Sequence, residues 1–170
     1  MSLFPLFLET AELLHRQFGF LSLLYGSVGL EWLTGASFHA DDIDMLIPER
    51  YVTGEFWHAL CDCLTQHGYC LTDLREHTFH RDGVAYAFAG IEGLAEFAGI
   101  DPQVIAVRSA EGVPFLLLSL EQYLRVYERS AQDGYRIHIR KKKDAQKIDW
   151  LRRQLSGEAA PSETPSKPSK

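Results

Sequence analysis

The sequence predicts one α/β (α+β) domain, in which a small mixed β-sheet is flanked by helices and further helices follow near the C-terminus. The 170 residues are 46% apolar and 24% charged, which is an ordinary balance for a single globular domain. Short apolar runs, typical of buried strands, alternate with amphipathic helical patterns. The chain is too short for a (β/α)₈ barrel, which needs at least ~200 residues.

The individual elements follow from hydrophobic spacing and from breaker residues. Apolar positions three or four apart predict helices, whereas apolar or alternating runs between glycines and prolines predict strands. In chain order, the predicted elements are a helix over 5–17, a strand over 20–25, a helix over 28–35, a strand over 43–48, a helix between 53 and 68, a strand over 69–74, a β-like segment over 77–89, short elements over 104–107 and 113–117, and helices from 119 and over about 142–155.

Two local signals place a turn and a helix start. Asp82 and Gly83 lie between two alternating segments, which predicts a β-hairpin turn. Ser119 is followed three residues later by Gln122, which is the spacing of a capping box. A helix is therefore expected to begin directly after Ser119.

The ordered domain is expected to span residues 1–155. From Gly157 the chain reads GEAAPSETPSKPSK, which offers no large apolar side chain to bury. Residues 156–170 are therefore predicted to form a disordered tail. The apolar start, MSLFPLFLET, lacks the basic segment and the cleavage site of a signal peptide, and is interpreted as part of the fold.

The composition limits which binding partners and which cellular compartment are expected for this protein. The net charge is −6, which disfavours bulk attraction to nucleic acid or to an anionic membrane. No run of 18 apolar residues is present in the sequence, so no membrane span is expected. Cys61, Cys63 and Cys70 favour a reduced, cytoplasmic setting over a disulfide scaffold. Basic residues are concentrated in 136–153, so the sequence allows a local anion-binding site despite the negative net charge.

The segment over residues 25–47 contains the residues that indicate phosphate and metal binding. One predicted strand ends at Gly26 and Ser27, where backbone N–H groups and a helix start suit a phosphate. The segment Asp42-Ile43-Asp44 enters the next strand, and its two carboxylates are expected on one face, roughly 6–7 Å apart, in an arrangement that suits a hard cation. Metal and polyphosphate on neighbouring strands are what phosphoryl and nucleotidyl transfer require.

The two motifs together resemble the signature of the DNA-polymerase-β-like nucleotidyltransferase superfamily, hG[GS] followed by Dh[DE]h. Here the signature reads Leu24-Tyr25-Gly26-Ser27, then fourteen residues, then Asp42-Ile43-Asp44-Met45. The resemblance covers a core of about residues 20–100. The helices over about 119–155 look like the helical appendage of small bacterial members.

This resemblance implies roles for the motif residues. Gly26 and Ser27 would bind the phosphates of a nucleoside triphosphate such as ATP. Asp42 and Asp44 would coordinate Mg²⁺ or Mn²⁺ and serve as catalytic residues.

Two further groups are expected near the motifs. The superfamily adds a third catalytic carboxylate from a later strand, for which Glu92 is the first choice and Glu96 and Asp101 are alternatives. Lys147, one helical turn after Lys143, is the better single candidate for a phosphate contact, and both lysines are taken as nucleotide-binding.

The predicted function is that of a metal-dependent nucleotidyltransferase. It would move a nucleoside monophosphate from a nucleoside triphosphate to a hydroxyl of an unidentified small-molecule or protein acceptor. The alternative is a catalytically inactive member of the superfamily that binds nucleotide or regulates a toxin–antitoxin pair. A third interpretation gives the acidic strand no ligand and the domain only protein contacts.

Other clusters have plainer interpretations. A zinc site needs four ligands, and one group of that size is present: Cys61, Cys63, His67 and Cys70. On a helix, however, residues 61 and 63 point about 200° apart. The three cysteines are therefore interpreted as thiols without metal. The basic run 141–143 is usually a solvated helix start.

Overall fold

The computed structural model describes residues 2–132 and 137–157. Over these residues the chain forms a seven-stranded mixed sheet with six α-helices, which confirms the predicted α/β (α+β) class. The strands are β1 (Leu23–Tyr25), β2 (Ile43–Ile47), β3 (Cys70–Asp73), β4 (Thr78–Arg81), β5 (Val84–Gly90), β6 (Ala106–Ala110) and β7 (Val113–Leu117). The helices are α1 (Phe4–Phe18), α2 (Gly26–Thr34), α3 (Trp57–Gln66), α4 (Gly93–Ala98), α5 (Leu120–Ala131) and α6 (Ile137–Ser156).

The sheet places the two motif strands side by side at its centre. The strand order is β3-β4-β5-β2-β1-β7-β6, with β1 antiparallel to β2, while β2 and β5 are parallel and so are β1 and β7. Tyr25 lies opposite Asp44, and Asp44 lies beside Ala87. Because paired residues point to the same side of a sheet, these three side chains mark one face.

The opposite face of the sheet carries the hydrophobic core. Leu24, Met45 and Phe88 pair across β1, β2 and β5, and all three are buried. Helix α1 packs on this face, where the ring of Phe7 meets Phe115 edge-on at a centroid distance of 5.5 Å. Each such buried side chain contributes about 1.5–3 kcal/mol, so this layer stabilises the register that holds the motif strands together.

Helix α5 is tied to the start of the fold by one buried hydrogen bond. The Tyr123 hydroxyl donates to the carbonyl oxygen of Leu24 at 2.9 Å. The two groups meet at Gly29 on α2, where an added Cβ would overlap the hydroxyl and lie 2.8 Å from that carbonyl oxygen. The absence of a side chain at residue 29 therefore lets α5 approach both α2 and β1.

Two local predictions are confirmed. Strands β4 and β5 pair as a hairpin on either side of Asp82 and Gly83. At the start of α5, the Ser119 hydroxyl accepts the Gln122 N–H at 3.2 Å, and the Gln122 side chain accepts the Ser119 N–H at 2.9 Å, which completes the capping box.

Several element boundaries differ from the prediction. The first strand is shorter than 20–25 and begins at Leu23. The third helix begins at Trp57, because the N–H groups of Thr53 and Phe56 donate to the carbonyls of Glu49 and Arg50, which keeps the preceding segment in turns.

The other differences concern the later part of the chain. Helix α4 has no counterpart among the predicted elements, since its six residues are too few to show a helical period. Helix α6 begins earlier than predicted and continues through Ser156, the first residue of the predicted tail. Residues 158–170 of that tail lie outside the described residues.

None of the helices within 2–132 and 137–157 is both long and apolar enough to cross a membrane.

Replacing Gly29 tests the close approach of α5. In Gly29→Ala the new Cβ meets the Tyr123 hydroxyl and the Leu24 carbonyl, so the free energy of unfolding should fall by about 1–3 kcal/mol. Gly93→Ala is the control, because a Cβ there meets no heavy atom within 4 Å; its stability should be unchanged or slightly higher. Urea denaturation of both variants measures the difference. Equal effects would contradict the packing described.

Candidate functional site

A cavity of about 520 Å³ lies on the sheet face that carries Tyr25 and Asp44. Its walls come from the β1–α2 turn, the segment before β2, the end of β5, and helices α4, α5 and α6. A volume of several hundred Å³ is usual for small-molecule sites. The cavity therefore joins the predicted motifs to the C-terminal helices.

The β1–α2 turn brings backbone against a carboxylate. Gly26 has a φ of +69°, a left-handed conformation that favours glycine. A Cβ built on Gly26 would lie only 2.7 Å from Oδ2 of Asp44. Because Gly26 is the first residue of α2, the start of this nine-residue helix lies directly beside the Asp44 carboxylate.

The two predicted carboxylates share the cavity. Asp44 belongs to β2, Asp42 directly precedes that strand, and both line the cavity with half-buried side chains. Ile43 between them is fully buried on the other side of the sheet. The alternation expected from the sequence is therefore what brings both carboxylates to one wall.

Glu31 shapes the segment that leads to these carboxylates. Its Oε2 accepts the N–H of Phe38 at 2.6 Å and the N–H of Ala40 at 3.4 Å. His39 between them is exposed and has a φ of +56°. A side chain of α2 thus fixes the backbone immediately before Asp42.

Helices α5 and α6 supply a second wall with three polar side chains. Tyr127, Asp144 and Lys147 line the cavity and are 7%, 5% and 8% exposed. The Lys147 ammonium lies 5.1 Å from the centroid of the Tyr127 ring and 4.0 Å from Oδ1 of Asp144. These three side chains make this wall of the cavity polar, and buried charges of this kind need partners or ligands.

The Tyr127 hydroxyl stays protonated at neutral pH. Burial raises its pKa well above the usual range, and the nearby charges of Asp144 and Asp44 raise it further, although the Ser27 hydroxyl lowers it. At neutral pH the group is therefore a hydrogen-bond donor as well as an acceptor.

Lys147, which is predicted to contact phosphate, lines the cavity, whereas Lys143 lies within α6 and its side chain is outside what the structure describes. Glu92 is turned elsewhere: both of its carboxylate oxygens accept the Glu49 N–H at 3.1 Å. Asp101 accepts the N–H of Gln103 at 2.9 Å.

The strand beside the carboxylates bears small side chains. Ala87 of β5 pairs with Asp44, and Ala85 and Ala89 point the same way because they are two residues to either side. Of the acids predicted as a third carboxylate, Glu92, Glu96 and Asp101, none is among the described residues that line the cavity. Asp144 on α6 does line it, although it belongs to neither sequence motif.

The cysteines lie away from the cavity. Cys63 is buried and Cys61 half-buried on α3, and burial raises the pKa of both thiols. Cys70 is exposed on β3. Among the residues that can be described, no three His, Cys, Asp or Glu side chains are grouped closely enough to hold a metal ion by themselves.

The fold and the cavity define a mixed α/β protein in which a helix N-terminus, a carboxylate pair and a buried tyrosine–lysine wall face one space. The chain belongs to the family of YnaI from Bacillus subtilis (strain 168), with which it is 36% identical over 151 residues, 89% of this chain and 96% of YnaI. YnaI is itself described only as an uncharacterized protein. No protein-family model and no solved structure matches the chain.

Two glycines at the ends of α2 test the contact with Asp44. Gly26 and Gly35 have similar left-handed φ values of +69° and +74°, but only Gly26 has a neighbour within 4 Å of its built Cβ. Gly35→Ala should lower the free energy of unfolding by about 1–2 kcal/mol from backbone strain alone. Gly26→Ala should lose more, because its methyl meets the Asp44 carboxylate.

Chemical denaturation in the Asp44→Ala background isolates that contact. The excess loss in Gly26→Ala should largely disappear once the carboxylate is removed, whereas the loss in Gly35→Ala should stay the same. An excess that persists without the carboxylate would contradict the assigned contact.

Proposed function

We propose that the cavity binds a nucleoside triphosphate with Mg²⁺ or Mn²⁺, and that the protein transfers the nucleoside monophosphate to a hydroxyl of a small-molecule or protein acceptor. The observation that carries this proposal is the close approach of Gly26 to Asp44. A helix N-terminus favours an anion, whereas a carboxylate favours a cation. A metal–polyphosphate complex is a ligand that satisfies both within one cavity.

The carboxylates suit a hard divalent cation. Asp42 and Asp44 offer oxygen ligands from one wall of the cavity, which is the donor type that Mg²⁺ and Mn²⁺ prefer. When bound there, such a cation would polarise the α-phosphate and neutralise charge on the pyrophosphate leaving group. The Ser27 hydroxyl and the first N–H groups of α2 would hold the phosphates, and Lys147 would add a positive charge.

The rest of the cavity suits a planar apolar group. Leu46, Leu94, Phe97 and Val126 line it together with the polar groups. Small-molecule sites commonly combine such an apolar lining with a few oriented polar groups. The nucleobase and sugar are assigned to this part, and the triphosphate to the end near Gly26.

The transfer step needs a base as well as phosphate binding. The acceptor oxygen would attack the α-phosphorus, the bond from that phosphorus to the bridging oxygen of the β-phosphate would break, and pyrophosphate would leave. The proton of the acceptor hydroxyl must pass to a nearby base. Asp144 is assigned this role because it lines the cavity, whereas the Glu92 carboxylate is bonded to the Glu49 N–H.

Nucleotide binding without transfer is the second candidate function. It is favoured by the side of β5 that faces the same way as Asp44, where Ala85, Ala87 and Ala89 offer no carboxylate. A protein of this kind would bind the nucleotide and release no pyrophosphate.

The metal–nucleotide site is tested by thermal unfolding with Mg²⁺ and each nucleoside triphosphate. A ligand at ~100 times its dissociation constant stabilises by about 2.7 kcal/mol, which shifts Tm by several degrees at this size. Wild type should show that shift with at least one nucleotide. Asp42→Asn and Asp44→Asn should lose it while keeping the wild-type fold by circular dichroism, because the side-chain volume is unchanged.

Asp62→Asn is the matched control. Asp62 is an exposed acid on α3 outside the cavity, so its replacement changes the net charge equally without touching the site. It should retain the full shift. A shift retained by Asp44→Asn, or lost in Asp62→Asn, would contradict the assignment of the carboxylates.

Transfer is separated from binding by following the α-phosphate. With the preferred nucleotide labelled there, wild type and a low-molecular-mass cell extract should yield pyrophosphate and a labelled acceptor in equal amounts. Asp144→Asn should bind nucleotide but transfer at least ~100-fold more slowly, as loss of a general base predicts. Binding with no labelled product in any extract or protein fraction would select the second candidate.

A further inference from the structure

The Tyr127 hydroxyl is an unsatisfied polar group in the wall of the cavity. The oxygen is buried and has no partner at hydrogen-bonding geometry within the described residues, although the Ser27 hydroxyl lies near enough to lower its pKa. Ser22 Oγ, Arg81 Nε and Tyr86 Oη share that condition, but Tyr127 is the one of the four whose residue lines the cavity. Buried hydroxyls are nearly always paired with protein, water or ligand, so this one points to a ligand.

The neighbours of this hydroxyl indicate what kind of ligand it faces. Ser27, in the first turn of α2, is close enough to affect the pKa of Tyr127. The Lys147 ammonium lies over the Tyr127 ring. A helix start, a serine hydroxyl and an ammonium all donate hydrogen bonds or attract negative charge. The raised pKa keeps the tyrosine a donor as well.

We infer that the Tyr127 hydroxyl donates a hydrogen bond to a phosphate oxygen of the nucleotide, and so closes the phosphate site from the side of α5. This inference rests on the proposed function and assigns it a binding residue outside the two sequence motifs. Ser27 from α2, Tyr127 from α5 and Lys147 from α6 would then reach the same polyphosphate. Nucleotide binding would thereby hold the C-terminal helices against the sheet.

Tyr123 provides a matched control one helical turn away. The two rings stack at a centroid distance of 6.4 Å, and both residues are buried in α5. The hydroxyls differ, because that of Tyr123 is bonded to the Leu24 carbonyl whereas that of Tyr127 is unpartnered. Removing each hydroxyl by substitution with Phe should therefore have opposite consequences.

The experiment measures stability and affinity for wild type, Tyr127→Phe and Tyr123→Phe. Without ligand, Tyr127→Phe should unfold at the wild-type temperature or above it, since no hydrogen bond is lost. Tyr123→Phe should unfold at a lower temperature, since it leaves a buried carbonyl unpaired. Isothermal titration with Mg²⁺ and inorganic triphosphate, and with Mg²⁺ and ATP, then gives the affinities.

Tyr127→Phe should weaken binding of inorganic triphosphate about tenfold, equivalent to about 1.4 kcal/mol, and Tyr123→Phe should weaken it less, because its hydroxyl is bonded to the Leu24 carbonyl and not to the ligand. The same ratio is expected with ATP, because the contact is to phosphate rather than to the base. A loss seen with ATP but not with inorganic triphosphate would overturn the phosphate assignment.

The remaining outcomes separate this inference from the function on which it rests. Equal affinity of Tyr127→Phe and wild type for both ligands would overturn the role of the hydroxyl and leave the metal–nucleotide site standing. A drop in Tm of ligand-free Tyr127→Phe as large as that of Tyr123→Phe would show that the hydroxyl already has a partner, and would overturn it too. Failure of wild type to bind any nucleoside triphosphate or inorganic triphosphate would overturn both.

Discussion

The close approach of Gly26 to Asp44 is the constraint on which the site depends. Antiparallel pairing puts Tyr25 opposite Asp44, so the chain must turn into α2 directly beside a carboxylate. Only a residue without a side chain fits there in the left-handed conformation that the turn requires. The result is a helix N-terminus and an acid in contact, two groups that attract ions of opposite charge.

The C-terminal helices complete the cavity through a second close approach. The hydrogen bond from Tyr123 to the Leu24 carbonyl fixes α5 over Gly29, and the next turn of the same helix then carries Tyr127 towards Ser27 and Lys147. A side chain at residue 29 would displace the Tyr123 hydroxyl. The stability of the helical layer and the shape of the cavity are therefore linked by the same contact.

Local signals in the sequence predict the structure correctly. The hairpin at Asp82 and Gly83 and the capping box at Ser119 each depend on a few adjacent residues, and both are found. The shared wall of Asp42 and Asp44 follows from strand alternation alone. Predictions beyond neighbouring residues were weaker, because they require knowing which elements pack together.

The search for a third carboxylate beside Asp42 and Asp44 shows most clearly what local patterns cannot predict. Glu92 follows an apolar strand and therefore looked well placed, but the chain bends after Gly90 and the carboxylate accepts the Glu49 N–H instead. Asp144 lies about a hundred residues from the motifs, and only the packing of α6 brings it to the cavity. Its spacing of three from Lys147 was the available signal, since residues three apart share a helix face.

The division of the cavity between the sheet and the helices bears on its chemistry. In the described residues, β2 and the residue directly before it provide Asp44 and Asp42, whereas the helices provide Tyr127, Asp144 and Lys147. A base carried by a helix reaches the substrate only when that helix is docked, so transfer would require α6 to be seated before the acceptor reacts. If Tyr127 and Lys147 both contact the phosphates, nucleotide binding itself seats the helices. The alanines of β5 are then compatible with transfer, because the base in this proposal comes from α6, which nucleotide binding holds in place, and not from a strand.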